Sequence, residues 1–411
     1  MREVRKAQVA IVGGGPAGLT AAKELAGVGE VVVIERESET GGIPRHSAHW
    51  GYGLRDLRRV TTGPAYARRL SEGAAGAGVE LMTSAMVTGW DGTHLEVTSP
   101  RGLFTVEAAA VVLATGARER PRTARRVPGD RPAGVYTTGE LQNHVHLFGH
   151  KVGTRAVVVG SELVSWSAVL TLRQAGVRTV LMTSAHAEAD TYAAVALAGR
   201  LAFGVPVATR TTVERVIGKG RVEGVEVLDH ATGRSRVVPC DTVVFTADWI
   251  PDHELAVELG LALQPGSLAP LVDTALRTEL PGVFAAGNLL HPVDTADNAA
   301  LDGRRVAATV RRWLSGARDL PDGIRIRAGG PLTWIAPGLV RAGDPAPVGG
   351  RLVAWTSQYR RFPTVVAVQG AKEIGRVRTP WPASPGRVFR IPFSVLSGLD
   401  RSGPGVEVRL E

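Results

Sequence analysis

Residues 8–18 read Gln8-Val9-Ala10-Ile11-Val12-Gly13-Gly14-Gly15-Pro16-Ala17-Gly18, and the organisation of the first part of the chain follows from them. The apolar, β-branched run ending at Val12 suits a strand buried on both faces. Gly13 permits a tight turn, Gly15 lets a pyrophosphate approach the backbone, and Gly18 allows a helix to pack closely on the strand. Thr20 to Gly27 reads as that helix. Pro16 and Ala17 lie at its start, where unpaired N–H groups and the helix dipole favour phosphate. Val31-Val32-Val33-Ile34 is a second buried strand, ending in Glu35-Arg36. Glu35 lies 22 residues after Gly13, where a carboxylate takes both hydroxyls of a ribose. Glycines alone would be a weak signal. Strand, helix and acid at these distances specify a dinucleotide site.

The 411 residues allow about two to four domains of ordinary size. With 44% apolar and 21% charged residues, the chain can bury a real core. Its formal charge of +9 invites a nucleic-acid partner. However, 43 of the 48 basic residues are arginines spread along the whole length, and no recognition module accompanies them. The charge is a compositional habit. The single cysteine, Cys240, excludes an internal disulfide, a Cys-x-x-Cys pair and a cysteine-ligated iron–sulfur cluster within the chain. No apolar run reaches 18 residues, and the N-terminal one breaks at the glycines without a cleavage pattern, so no transmembrane segment and a cytoplasmic location are expected.

Three further motifs follow in order. They are Gly41-Gly42-Ile43-Pro44, then Leu113-Ala114-Thr115-Gly116-Ala117, then Thr278-Glu279-Leu280-Pro281-Gly282-Val283-Phe284-Ala285-Ala286-Gly287-Asn288. Together with the first, they resemble the two-dinucleotide-binding flavoproteins, the superfamily of thioredoxin reductase and glutathione reductase. The resemblance spans about residues 7–318 and implies bound FAD. It assigns to the cofactor Gly13, Gly15, Pro16, Ala17, Gly18, Glu35, Arg36, Gly42, Ile43, Val87, Ala114, Thr115, Gly116, Gly287, Asn288 and Thr295. Asn288 stands where the family usually has Asp against the ribityl hydroxyls, and an amide still hydrogen-bonds there. The implied fold class is α/β, with two Rossmann-like three-layer domains. Residues 1–118 and 246–318 form the FAD domain, and 119–245 an inserted NAD(P)-like domain. From 322 to 411, Pro- and Gly-punctuated short apolar runs read as a small β-rich domain.

The second dinucleotide motif is degenerate. A strand, Thr154 to Val159, enters Gly160-Ser161-Glu162-Leu163-Val164-Ser165, so Glu162 and Ser165 replace the second and third glycines. An ionised Glu162 about 4 Å from a phosphate would be repelled by roughly 4 kcal/mol at an effective dielectric near 20. No acid for a ribose is expected after Met182. Glu162 therefore argues against bound NAD(P), although an unusual mode with the side chain turned aside stays open.

Without a dithiol, the flavin must exchange electrons with an organic substrate or a partner protein. Arg45, in the stretch after the Gly-Gly pair, is a candidate to fork onto a substrate carboxylate or phosphate. His46 and His49 are candidates to take a proton as hydride leaves the substrate. His291, after Asn288, is a further one, and Thr295 or Asp294 would cap the helix beyond it. Bracing the cofactor is the competing role for Arg45, His46 and His49, and capping or packing is that for His291. His144, His146 and His150 lack zinc-site spacing, and no metal is expected. Among relatives, the chain is similar to FAD subunits of bacterial amine and amino-acid dehydrogenases: sarcosine oxidase alpha, opine oxidase and hydrogen cyanide synthase. That similarity implies three partners: a small-molecule substrate (an amine, amino acid or hydroxy compound), a separate small iron–sulfur electron-transfer chain, and a second dehydrogenase subunit. The alternatives are an NAD(P)H-dependent flavin reductase and a non-catalytic flavin-binding subunit.

Overall fold

A computed structural model describes residues 3–188, 190–318 and 320–411. The run before the first glycine forms the strand Glu3–Val12, and its last four residues are almost fully excluded from solvent. It is flanked on both sides by parallel neighbours, Val31–Ile34 and Gly102–Leu113. Glu80–Met82 extends one edge, and Val283–Ala285 pairs in parallel with Gly102–Leu113 on the other. His94–Ser99 and Met86–Trp90 add an antiparallel flap. The doubly buried parallel centre explains why Val9–Val12 and Val31–Ile34 are continuous apolar runs instead of alternating ones.

Helices α1 (Pro16–Leu25) and α2 (Gly63–Ala75) follow the turns of this first sheet. A second parallel sheet has the order Val135–Thr137, Thr242–Phe245, Arg155–Val159, Arg178–Thr183, Val207–Ala208. Around it lie α3 (Thr138–Gln142), α4 (Leu163–Gln174) and α5 (Ala193–Phe203). The chain crosses between the two sheets through Ala117–Glu119 and Trp249–Pro251, which pair antiparallel. After α6 (Glu254–Glu258), the return to the first sheet ends in α7 (Ala296–Leu314). That helix lies so close on α1 that a Cβ at Gly303 would collide with the carbonyl of Ala17.

The C-terminal region is β-rich, as its turn-punctuated sequence leads one to expect. A five-stranded sheet has the order Leu339–Arg341, Gly323–Ala328, Val406–Leu410, Thr364–Gln369, Lys372–Arg378, and packs with a three-stranded sheet of Leu332–Ala336, Arg351–Thr356 and Phe389–Pro392. Its core includes Ile335, Leu352, Val365, Phe389 and Ile391.

Polar groups fasten this region to the remainder of the chain. Asp273 is fully buried and accepts from Arg277 Nε at 2.7 Å and Arg341 Nε at 2.9 Å, while Arg277 Nη2 reaches Asp344 at 2.6 Å. The N–H groups of Gly338 and Leu339 both donate to the carbonyl of Val272. Arg390 Nη2 meets both oxygens of Asp294, at 2.9 and 2.8 Å, one residue before the N-cap of α7. Burial opposes ionisation of Asp294, but Arg390, His291 and hydrogen bonds from Asn298 and the Thr295 N–H together hold the carboxyl below its usual range. Arg390→Ala leaves that carboxylate buried without its cation and costs about 3 kcal/mol, the scale for breaking a buried pair. Chemical denaturation measures the loss, and the double variant Asp294→Asn/Arg390→Gln recovers part of it.

Candidate functional site

The first glycine turn is a cradle shaped for a dinucleotide. Gly13 has φ 104°, and a Cβ there would strike the carbonyl of Ala114 in the Ala114-Thr115-Gly116 crossing. A Cβ at Gly15 or at Gly116 would meet nothing, so both turns face open space. Gly15 is the N-cap of α1, without a side-chain cap or an acid in the first turn, so the N–H groups of Ala17 and Gly18 are left for an anion. Gly42, at φ 62°, lies against Gly15, where a Cβ would be 3.0 Å from its Cα. Ile43 follows it, half exposed.

Glu35 is buried, accepting from the N–H of Gly14 at 2.7 Å through Oε2 and from that of Glu37 at 2.9 Å through Oε1. Each oxygen keeps a lone pair for a ribose hydroxyl. Arg36 reaches Asp252, and Val87 lies half-buried in Met86–Trp90. Across the cradle, Asn288 Nδ2 donates to the carbonyl of Asp294 at 2.9 Å, and its buried Oδ1 has no partner. Such an acceptor calls for a hydroxyl donor. Thr295 occupies the N-cap of α7 but takes a bond from Asn298 instead of capping the helix, and Asp294 is committed to Arg390.

The structure separates the candidate catalytic residues. His46 and His49 share one polar cluster. His46 Nδ1 lies 3.3 Å from Gln142 Oε1, and Gln142 Nε2 donates to Ser167 Oγ at 2.8 Å. His49 Nε2 lies 2.7 Å from Ser167 Oγ and 3.0 Å from Ser47 Oγ, while its Nδ1 lies 2.9 Å from the carbonyl of Trp50. A carbonyl only accepts, so Nδ1 carries the proton and Nε2 presents a lone pair. Burial pushes His46 down to about 4, and the nearby Arg45 adds to the effect.

Arg45 is turned from the cluster, donating to the carbonyl of Glu39 at 3.0 Å and facing Glu37. It braces the loop that a substrate-holding role would have needed it to leave. His291 sits elsewhere, 2.5 Å from Asp302, against the C-terminal region. Burial opposes charge on His291, but the carboxylates of Asp302 and Asp294 together raise it above its ordinary range. Gln142 and Ser167 carried no sequence signal, being an amide and a hydroxyl from separate helices of the second sheet.

At the second turn, side chains and a loop of the C-terminal region pack against the backbone. Glu162 is the N-cap of α4 and Ser161 Oγ donates to Asp190 Oδ2 at 2.8 Å. Asp190 is buried and also accepts from Ser184 Oγ, while His186 Nδ1 lies 2.6 Å from its Oδ1. No acid for a ribose was expected after Met182; Asp190, eight residues on, folds back into the turn and is taken up by Ser161, Ser184 and His186. From the C-terminal region, Gly386 lies over the same place. Its φ is 82°, and a Cβ there would collide with Cβ of Asp190 and come within 3.0 Å of Cγ of Glu162. Arg387 stacks over Tyr192, 5.1 Å from the ring centroid.

Burial and the neighbouring Asp190 push the Glu162 carboxyl well above its usual range. Glu162 is thereby held towards its neutral form, while Asp190 and Gly386 pack against the same turn. Ser165 is hydrogen-bonded to Thr246 at 2.6 Å, an adaptation of the third glycine position to a polar contact.

The family model described as pyridine nucleotide-disulphide oxidoreductase matches residues 7–303. The chain belongs to this family. It is 29% identical over 329 residues to the benzene 1,2-dioxygenase system ferredoxin–NAD(+) reductase subunit of Pseudomonas putida, covering 75% of this chain and 74% of that one. Likeness to the probable ferredoxin reductase CtmF of Castellaniella defragrans is 26% over 431 residues and covers 98% of both chains, the C-terminal region included. An opine oxidase subunit of Rhizobium meliloti is 28% identical over 317 residues, covering 68% of this chain and 58% of that one. The fold is like that of T. acidophilum thioredoxin reductase, with a TM-score of 0.64 and 21% identity, over 77% of this chain and all of the other.

As a pyridine nucleotide-disulphide oxidoreductase, the chain is an FAD-dependent oxidoreductase. The open glycine turn, the free N–H groups of α1, the buried Glu35 and the unpartnered Asn288 Oδ1 all fit that cofactor. The disulphide half of the family name finds no counterpart: Cys240 is single, buried and pushed up to about 11 by burial. No helix among the described residues is long and apolar enough to cross a membrane.

Because His46 is held neutral by the fold, its contribution to stability is present above pH 6.5. It is lost as the pH falls towards 4, where only the unfolded chain gains the proton. Between those limits the wild type loses on the order of 3 kcal/mol more than His46→Gln. Paired denaturant titrations at pH 4, 5 and 6.5 measure the difference.

Proposed function

We propose that this chain is the FAD-bearing component of a dehydrogenase for a small amine, amino acid or hydroxy compound, and that it passes the electrons to a partner protein without holding a nicotinamide cofactor. The observation that carries this is the second dinucleotide turn, where Glu162, Asp190 and Gly386 take up the approach to the backbone. Likeness to an opine oxidase subunit supports the substrate class, and likeness to ferredoxin reductases supports protein-mediated electron exit. When bound, FAD accepts a hydride and releases electrons singly.

The residues of the chain supply the setting. His49 keeps its Nδ1 proton on the Trp50 carbonyl and offers Nε2 as a base, directly or through Ser167. His46, neutral and buried, keeps a second positive charge away from that base. Gln142 fixes Ser167 from the other side.

Anaerobic mixing of the holoprotein with NADH or NADPH is expected to leave the flavin absorbance near 450 nm unchanged over minutes. Rapid bleaching at micromolar concentrations would instead make it an NAD(P)H-dependent reductase, as the name of the Pseudomonas putida relative suggests for that protein. With a compound that does reduce the flavin, His49→Ala lowers the reduction rate by about 10²–10⁴-fold, the usual contribution of a positioned base. FAD content measured by absorbance stays at the wild-type level.

A further inference from the structure

The segment after the second glycine pair folds into a hairpin, Trp50–Tyr52 paired with Thr61–Thr62, whose tip spans residues 53–60. The tip is held rigidly. Asp297, in the first turn of α7, accepts from the N–H of Gly53 at 2.9 Å and of Arg55 at 3.0 Å. Leu57 and Arg59 both return N–H bonds to the carbonyl of Gly53, and Arg304 Nη2 holds the carbonyl of Asp56 at 2.9 Å. The hairpin thus joins the loop leaving Gly42 to the helix that follows Asn288, the two sides of the cofactor cradle.

Its outer surface has a distinct chemistry. Trp50, Leu54 and Val60 are 70%, 59% and 47% exposed. Arg55, Arg58 and Arg59 are exposed among them, and no ion pair among the described residues engages these three guanidinium groups. The one acid of the tip, Asp56, is buried and accepts from the Tyr66 hydroxyl at 2.6 Å. Three like charges fixed on one rigid tip raise the potential there and draw an anionic partner. A few exposed apolar groups among the cations suit a small, short-lived contact, in which charge sets the encounter rate and apolar contact sets the alignment.

We infer that the Trp50–Thr62 hairpin is the docking surface for a small acidic one-electron carrier protein. The inference rests on the proposed exit of electrons through a partner, and identifies the surface they leave by. In the transfer, the two electrons of one reduced FAD go singly to two carrier molecules. Each carrier's iron–sulfur centre is reduced by one electron, the flavin returns to its oxidised form, and its protons pass to solvent.

The test uses the FAD-loaded full chain, reduced photochemically under anaerobic conditions so that no substrate is involved. It is mixed by stopped flow with an acidic [2Fe–2S] ferredoxin and, separately, with a basic c-type cytochrome. Ferredoxin reduction by the wild type is expected to slow as salt rises. Arg58→Glu/Arg59→Glu slows it about 10–100-fold at low salt and speeds cytochrome reduction, the direction and scale of electrostatic steering. Arg58→Gln/Arg59→Gln falls between, and Trp50→Ala slows ferredoxin reduction without changing its salt dependence. Arg200→Glu, an exposed change on α5, leaves both rates alone. FAD content and melting temperature verify that each variant is folded. A ferredoxin rate indifferent to salt and to the paired Arg58 and Arg59 changes overturns the inference, as does an equal effect from Arg200→Glu. Patch-dependent ferredoxin reduction, in a protein whose flavin no amine, amino acid or hydroxy compound reduces, would uphold the docking surface and sink the dehydrogenase reading.

Discussion

Asp273 has no exposure to solvent, and the two arginines that neutralise it come from different parts of the chain. Arg277 precedes the last strand of the first sheet; Arg341 belongs to the C-terminal sheet. A carboxylate so deeply buried is tolerable only while both cations and their hydrogen bonds are in place. Docking of the C-terminal region is therefore tied to the integrity of the FAD fold. Once docked, that region delivers Arg390 to Asp294 beside α7 and Gly386 to the second glycine turn. The same region that is anchored at Asp273 thus also packs against the second turn.

Two polar substitutions in the second turn have different physical meanings. Ser165 is accommodated by a hydrogen bond to Thr246 that glycine could not make. Glu162, on the positive end of α4, is pressed by Asp190 and Gly386 into a space where its carboxyl is held towards the neutral form. The first turn offers the contrast of open space next to Gly15, unused N–H groups on α1 and an unpartnered Asn288 Oδ1. One chain carries the same supersecondary unit twice, once facing open space and once packed against Asp190 and the C-terminal region.

The fold class and FAD were legible in the sequence because they rest on local patterns: β-branched runs between glycines, and an acid at a fixed distance. Glu162 was legible for the same reason. Asp190 was not, since it reaches Ser161 by a loop with no periodicity, and Gly386 was not, because it arrives from an unrelated sheet. Arg45 and His291 look from sequence like free functional groups; their partners, Glu37 with Glu39 and Asp302, appear only in three dimensions. Ser167 and Gln142 are ordinary helix residues until the two sheets place them beside His49 and His46.

The seal at Gly386 also bears on how these positions change over time. In a ligand site, each residue is answerable to the ligand and can be judged separately. Here Glu162, Asp190 and Gly386 are answerable to one another: a Cβ at 386 would collide with the Cβ and the backbone carbonyl of Asp190, and the φ of 82° there favours glycine. Packing thus couples two regions nearly two hundred residues apart, so that a substitution in one is felt in the other.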